Sequence, residues 1–460
     1  MTFPTLNWRD HLAENLRLAM PLIVGQLATI GIWTSDVLAM GQIDSDSLAA
    51  GALATRYFQP IFFLAIGISL AVGPLIAQGL GAGDDRQIRR SFRQGMIIAF
   101  TLGMLTIPLL FVAEPVLITL GQDPELSRLT KPFLFWTSFG LPFMFLTFVL
   151  RQFLISYQRP MPQVIAMLIA LAVNVGLNEI LSKGAGPIPA MGLGGIALGT
   201  SIVYFLLCVG LIGYIANSSP FRESKPFQRL WLMDWDITFR VLKIGVPIGL
   251  TIVAETGMFI AAALLIGLYG TASLAAISIA NQIAAVAFMI PISMAQAGMV
   301  RIGNYAGAED RQNLFKSATA TMTLALSACT LTMIILLIWP DAMIRMFIQP
   351  SDSLFADVQA LAIPMLLLTA LFQIPDGVQS VALAILRGIN DTKIPGIIAI
   401  GCFWITGVGA GAIAGFTLGM GPIGVWGGVT FGLFVASGVL TIRMRKAMRR
   451  IKDGGQILMA

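Results

Sequence analysis

Three carboxylates, Asp36, Glu255 and Asp376, lie inside long apolar stretches of a 460-residue chain. An ionised carboxylate at the centre of a membrane-spanning helix costs about 2.5–3.5 kcal/mol on insertion scales. Such a group is protonated, paired, or set in a wet cavity, and all three states point to proton or cation handling. At about 1.5 Å of rise per helical residue, Glu255 lies ~21 Å beyond Val241 and Asp376 ~16 Å from Arg387. The two are thus at similar depth. If they face each other, they could share a proton or clamp a sodium ion; otherwise each is separately neutral and hydrogen-bonded. Pro375 has no N–H and leaves the Leu371 carbonyl unpaired, which is either a further cation ligand or an ordinary kink. Asp36 lies ~30 Å past Leu16, toward the outer end of its run. Asn174 and Asn178, one turn apart on one face, could meet it in a polar pocket or serve only as helix–helix glue. Asp36 alone could also be an outer-interface residue.

Other chemistry is excluded by what is missing. The chain has one histidine, His11, and three widely spaced cysteines, Cys208, Cys329 and Cys402, each in an apolar run. That rules out a disulfide scaffold and His-ligated metal, and leaves no convergent constellation for an enzyme. No lysine follows a glycine, so there is no ATP-binding phosphate loop. Uphill movement of a solute would need an ion gradient or an outside ATPase. Gly192-Leu-Gly194 and Gly407-Val-Gly409 each begin a G-x-G-x-x-A pattern, but within or beside apolar runs, where glycine permits close helix packing. Glu179 and Lys183 read as a solvated pair near the surface, and Glu114, before Pro115, as the end of a span.

The elements that must position these residues are membrane helices. Hydrophobic residues make up 57% of the chain and charged residues 11%, against ~25% charged in an ordinary soluble domain. Mean hydropathy is +0.83. This composition predicts an all-α polytopic membrane protein and excludes disorder. Apolar runs long enough to span a bilayer fall near 16–40, 49–79, 94–113, 133–155, 162–182, 192–215, 240–268, 274–300, 316–339, 358–386, 395–417 and 423–442. The second and eighth are long. The runs are continuous rather than alternating, so a β-barrel is excluded. With the N-terminus placed inside, 24 of the 29 Lys and Arg residues lie on the inner side and four (Arg128, Lys131, Lys183 and Arg345) outside. Both termini are therefore expected in the cytoplasm. The net charge of +6 then reflects an inner rim facing anionic headgroups, not nucleic-acid binding. No cleavable signal peptide is evident, and the first span serves as its own targeting signal.

The sequence also repeats itself with an offset of about 226 residues. Leu18-Ala-Met-Pro21 matches Ile244-Gly-Val-Pro247, and Ser47-Leu-Ala-Ala50 matches Ser273-Leu-Ala-Ala276. Gly83-Asp-Asp-Arg-Gln87 matches Ala308-Glu-Asp-Arg-Gln312, and Gly192, Gly195 and Gly199 match Gly421, Gly424 and Gly428. The expected organisation is an N-terminal six-helix lobe (1–216), a cytoplasmic linker (217–237), a C-terminal six-helix lobe (238–446) and a cytoplasmic tail (447–460). Six spans per half give parallel repeats related by a pseudo-twofold axis along the membrane normal, an architecture of transporters that bind between lobes.

With these residues placed, the chain resembles the multidrug and toxic compound extrusion (MATE) family, and within it the NorM-type bacterial exporters, over nearly its whole length. The resemblance rests on the repeat, on Pro21 with Asp36, Gly81-Ala-Gly-Asp-Asp85 and Asn174/Asn178, and on Val253-Ala-Glu-Thr256, Pro375-Asp-Gly377, Leu386-Arg-Gly388 and Asp391-Thr-Lys-Ile-Pro395. It implies a V-shaped antiporter, acting as a monomer in the bacterial inner membrane. It would export lipophilic, often cationic, drugs in exchange for Na⁺ or H⁺, with no cofactor beyond the coupling ion. By the same resemblance, Glu255 and Asp376 form a cation site that would hold Na⁺, and Asp36 with Asn174, Asn178 and Thr200 a proton-responsive one. One residue departs from the pattern. Where sodium-coupled relatives can carry a tyrosine one turn before the tenth-span aspartate, this chain has Phe372, whose ring face can attract a cation but offers no hydroxyl.

A lipid-linked oligosaccharide flippase of the same superfamily should carry cationic residues deep in its spans to hold pyrophosphate, and none is counted here. A channel is disfavoured by the twofold lobes and paired acids.

Overall fold

The computed structural model describes residues 6–187, 189–349, 351 and 354–458. Among these residues there are twelve helices long and apolar enough to cross a membrane, and no strand element. They are α1 (Trp8–Ile43), α2 (Ser45–Ala82), α3 (Asp85–Phe111), α4 (Pro124–Ser156), α5 (Met161–Lys183) and α6 (Gly192–Asn217), then α7 (Trp235–Gly267), α8 (Thr271–Gly307), α9 (Arg311–Ile338), α10 (Phe355–Gly388), α11 (Lys393–Thr417) and α12 (Gly421–Lys452). Each expected span coincides with one of them, and α2 and α8, at 38 and 37 residues, are the longest.

The helices overrun the apolar runs where capping residues extend them. α3 begins at Asp85 rather than near 94 because the Asp84 carboxylate accepts from the backbone N–H groups of Arg86 and Gln87, both at 2.9 Å. Its repeat counterpart Asp310 accepts from the Asn313 N–H at 3.0 Å and starts α9. A cap of this kind contributes ~1 kcal/mol, and the duplication has kept it in both halves. Prolines inside α1, α2, α4, α7, α8 and α10 do not end those helices, since neighbouring spans can re-satisfy the freed carbonyls.

The described residues group into two compact units. One runs from Pro21 to Gly249; the other comprises the residues up to Met20 and those from Leu250 onward. The divisions therefore fall inside α1 and α7, beside Pro21 and Pro247, rather than at the linker. In the first unit the linker is packed down. Arg90 of α3 forks onto the Asp234 carboxylate, with the NH2–Oδ1 arm at 3.0 Å. Gln94 donates to the Leu232 carbonyl at 2.9 Å. Phe221 is fully buried against Phe153 and Tyr157.

In the second unit, Phe372, Phe403 and Trp426 are fully buried at the centre of the core. α11 departs from α-helical pitch, with π-helical turns at Cys402–Gly409 and Ile413–Thr417. It approaches α12 backbone to backbone: a Cβ on Gly428 would lie 2.1 Å from Cα of Gly411, and one on Gly432 would lie 2.5 Å from Cα of Gly407. This is the small-residue packing expected for Gly407, since helices in lipid gain by close contact rather than by hiding from water. Outward-facing apolar side chains such as Leu105, Leu264 and Ile405 are exposed, as a lipid-facing surface requires. The N-terminal turns of α1 are pinned by His11, which is fully buried. Its Nδ1 lies 3.2 Å from a guanidinium nitrogen of Arg301, and its Nε2 lies 3.1 Å from Asn313 Oδ1. Because arginine only donates, Nδ1 accepts and Nε2 carries the hydrogen.

Candidate cation sites

Asp36, Asn174, Asn178 and Thr200 meet in the first unit. The Asn174 amide donates to Asp36 Oδ1 at 3.1 Å and the Asn178 amide to the same oxygen at 2.8 Å. The Thr200 hydroxyl donates to Oδ2 at 2.8 Å and itself accepts from the Asn174 amide at 3.0 Å. Asp36 is 8% exposed, Asn174 0% and Asn178 2%, so the cluster is buried within the protein. α1 supplies the acid, α5 the two amides one turn apart, and α6 the hydroxyl. α6 packs closely on α5 beside it: a Cβ on Gly199 would sit 3.2 Å from Asn178 Oδ1. The carboxylate opens onto a cavity of about 240 Å³ whose walls include Trp33, Phe58, Phe62, Phe133 and Met144, with Tyr204 and Thr200 among its few polar groups. One acid in an aromatic, apolar chamber is the chemistry that would hold a lipophilic cation.

Glu255 of α7 and Asp376 of α10 meet in the second unit, joined by a residue that the sequence reading passed over. The Gln379 amide donates to Glu255 Oε1 at 2.8 Å and to Asp376 Oδ1 at 3.0 Å. Its own carbonyl oxygen, Oε1, is buried and has no hydrogen-bond partner. The available signal was spacing: Gln373, Asp376 and Gln379 recur every three residues, which places them on neighbouring positions of one helix surface. Two carboxylates and an orphan amide oxygen are a donor set suited to a hard monovalent cation. Among the described residues no cluster of three or more His, Cys, Asp or Glu groups occurs, so transition-metal ligation has no candidate site there. Arg387, counted in the sequence as an inner-edge residue, lies in the last turn of α10. α10 approaches α9 at the site through Gly377, where a Cβ would lie 2.2 Å from Cys329 Sγ.

Phe372 sits one turn before Asp376. Its ring packs edge-on against Trp426, with centroids 5.6 Å apart, and tilted against Phe259 at 6.2 Å. Phe259 in turn lies one turn beyond Glu255. An aromatic layer therefore flanks the acid pair, and the Trp426 indole N–H is satisfied by the Met365 carbonyl and the Thr369 hydroxyl, each at 3.1 Å. Elsewhere, Glu179 and Lys183 form the exposed i,i+4 pair at 2.6 Å. Glu114 lies in the short helix Ala113–Thr119, 3.7 Å from Lys131.

Comparison with known proteins adds a family. The MatE family model matches residues 21–180 and 247–413. A protein of Agrobacterium fabrum named "Probable multidrug resistance protein NorM" is 35% identical over 444 residues, covering 96% of each chain. One of the same name from Rhizobium meliloti is 36% identical, covering 97% of this chain and 95% of its own. Among solved structures, a eukaryotic MATE transporter superposes with a TM-score of 0.85 over 97% of this chain and 99% of its own, at 18% identity. A transporter of the MOP superfamily from Pyrococcus furiosus, described as having a binding pocket of reverse polarity, superposes at 0.86 over 96% and 97%, at 19% identity.

Proposed function

Because the chain belongs to the MatE family, we propose that it is a multidrug efflux transporter that works as an antiporter, exporting lipophilic organic cations in exchange for Na⁺ or H⁺. The observation that carries the reading is Asp36: a buried carboxylate, held by three side-chain donors, opening onto an aromatic cavity. A ligand with a delocalised positive charge would find there both a counter-charge and ring faces. The name shared by the bacterial relatives, a multidrug resistance protein, agrees with that chemistry.

The two acid sites divide the work. At Asp36, taking up a proton on Oδ2 would require the Thr200 hydroxyl to turn from donor to acceptor. That breaks the present network and removes the counter-charge from the cavity. At Glu255 and Asp376, a sodium ion would be held by the two carboxylates and the Gln379 carbonyl oxygen. Either event releases cargo only if it favours one conformation over the other. Phe372, packed against Trp426, contributes a wall and no oxygen ligand. With both termini placed in the cytoplasm of a bacterial inner membrane, the ion would enter from outside and the drug would leave by the same face. We place the six-helix repeats at 1–216 and 238–446, with the chain working as a monomer.

The test is efflux of a fluorescent organic cation from proteoliposomes containing the protein and no nucleotide. Dye release on imposing an outside-high Na⁺ or H⁺ gradient, and none without a gradient, is expected. Release that requires ATP, or no gradient-driven release of several chemically different cations by folded protein, would overturn the reading.

A further inference from the structure

We propose that a groove between α11 and α12, whose lining shares no residue with either acid site, binds one anionic phospholipid. The groove is a cavity of about 380 Å³ within the second unit. Arg443, Lys446 and Arg450 line it, spaced to share one face of α12. Ile398, Val439 and Ile442 make its apolar wall.

The charges are set for an external anion. Arg443 is already positioned: its guanidinium forks onto Asp391, in the turn after α10, with both contacts at 2.9 Å. Lys446 and Arg450 are exposed and enter none of the ion pairs among the described residues. Asp391, spent on Arg443, is the sole acid in the lining. The groove therefore presents two uncompensated cations beside a placed guanidinium, an arrangement that matches the oxygens of a phosphate.

The wall decides which phosphate. Val439 and Ile442 are 39% and 56% exposed, and the apolar surface continues along α11 through Ile394 and Ile397, at 48% and 62%. A free phosphate gains nothing from an aliphatic wall. A phospholipid lays its acyl chain along it while its headgroup meets the basic rim, as basic pockets between spanning helices do at a cytoplasmic leaflet. The occupant is thus a glycerophospholipid of net negative charge, not a zwitterionic one, because the lining has too few acids to pair with a headgroup amine.

The experiment measures lipid retention by native mass spectrometry on detergent-purified full-length protein. Phosphatidylglycerol, phosphatidylcholine with the same chains, and inorganic phosphate are each added in turn. Two doubly substituted proteins, Lys446→Ala/Arg450→Ala and Arg445→Ala/Arg449→Ala, remove equal charge from α12, but only the first pair lines the groove. All four side chains are exposed, so both proteins should fold. The expected result is one phosphatidylglycerol retained, little phosphatidylcholine, and binding about thirtyfold weaker in the Lys446/Arg450 variant, with the Arg445/Arg449 variant near wild type. Equal loss in both variants would reduce the site to diffuse charge. Equal retention of phosphatidylcholine would reduce it to an apolar crevice, and displacement by millimolar inorganic phosphate would make it a site for free anions. Each of these three overturns the proposal.

Discussion

At the residue scale, the account turns on how two acid sites are held. The Thr200 hydroxyl donates to Asp36 Oδ2 while accepting from Asn174. Thr200→Val keeps the shape and removes both bonds. A hydrogen bond to a charged group is worth ~1.5–3 kcal/mol, so proton-driven efflux at a fixed intermediate pH should fall by roughly tenfold or more, with its pH profile displaced. Thr200→Ser should restore both, and an unchanged profile in the valine variant would remove Thr200 from the mechanism. In the other site, Gln379→Leu leaves the two carboxylates without their common donor and deletes the orphan oxygen. Sodium stabilises the folded protein only in proportion to its binding. The rise in melting temperature produced by NaCl over choline chloride should therefore shrink or vanish in that variant. The acids and asparagines of these sites were legible in the sequence because polar groups stand out in apolar runs. Gln379 is an amide of the same kind, and its three-residue spacing from Asp376 was the signal that the reading passed over.

At the element scale, apolar length alone located all twelve spanning helices, since lipid leaves the backbone few alternatives. Their ends were less visible. Capping by Asp84 and Asp310 carries α3 and α9 beyond the apolar runs, which hydropathy does not record. The π-helical turns of α11, which packs closely on α12, were also absent from the sequence reading. That packing can be tested. Gly428→Val would drive a side chain into the Gly411 backbone, whereas a Cβ on neighbouring Gly427 meets nothing within 4 Å. Overpacking costs ~1–3 kcal/mol, so Gly428→Val should lower the melting temperature by several degrees, whereas Gly427→Ala should hold it or raise it slightly. The linker offers a pH test. The Arg90 guanidinium holds the Asp234 carboxyl below the usual carboxylate range. A depressed folded pKa stabilises at pH values above the unfolded value of ~3.9 and is lost as pH falls through the folded value. Proteolysis of residues 217–237 should therefore stay slow from pH 7 to about pH 4 and quicken below it, whereas Asp234→Asn should quicken cleavage throughout. Equal rates for the two proteins at pH 7 would show that the pair does not anchor the linker.

At the scale of the whole molecule, the duplication is unequal in chemistry. Caps recur in both halves at an offset of 226 residues and glycines at 229, but Asp36 falls opposite Ala262, so the two acid sites are not copies of one another. One unit holds a single acid in an aromatic chamber; the other holds an acid pair bridged by an amide. Shared scaffold with unshared sites is what a transporter needs if cargo and ion are handled separately yet coupled. The orientation proposed from the basic residues can be tested directly. Single cysteines placed at Lys225 and Lys452 should resist a membrane-impermeant maleimide applied to intact cells, and one at Arg128 should react. The reverse pattern would invert the topology and with it the direction of transport.

The most direct test of the coupling is efflux of an organic cation from proteoliposomes given a sodium pulse or an acid pulse, comparing wild type with Asp376→Asn and Asp36→Asn. Two separate acid sites predict that a sodium-triggered component is lost in Asp376→Asn and an acid-triggered component in Asp36→Asn, each with correctly folded protein. Undiminished efflux under both pulses in both variants would contradict the account.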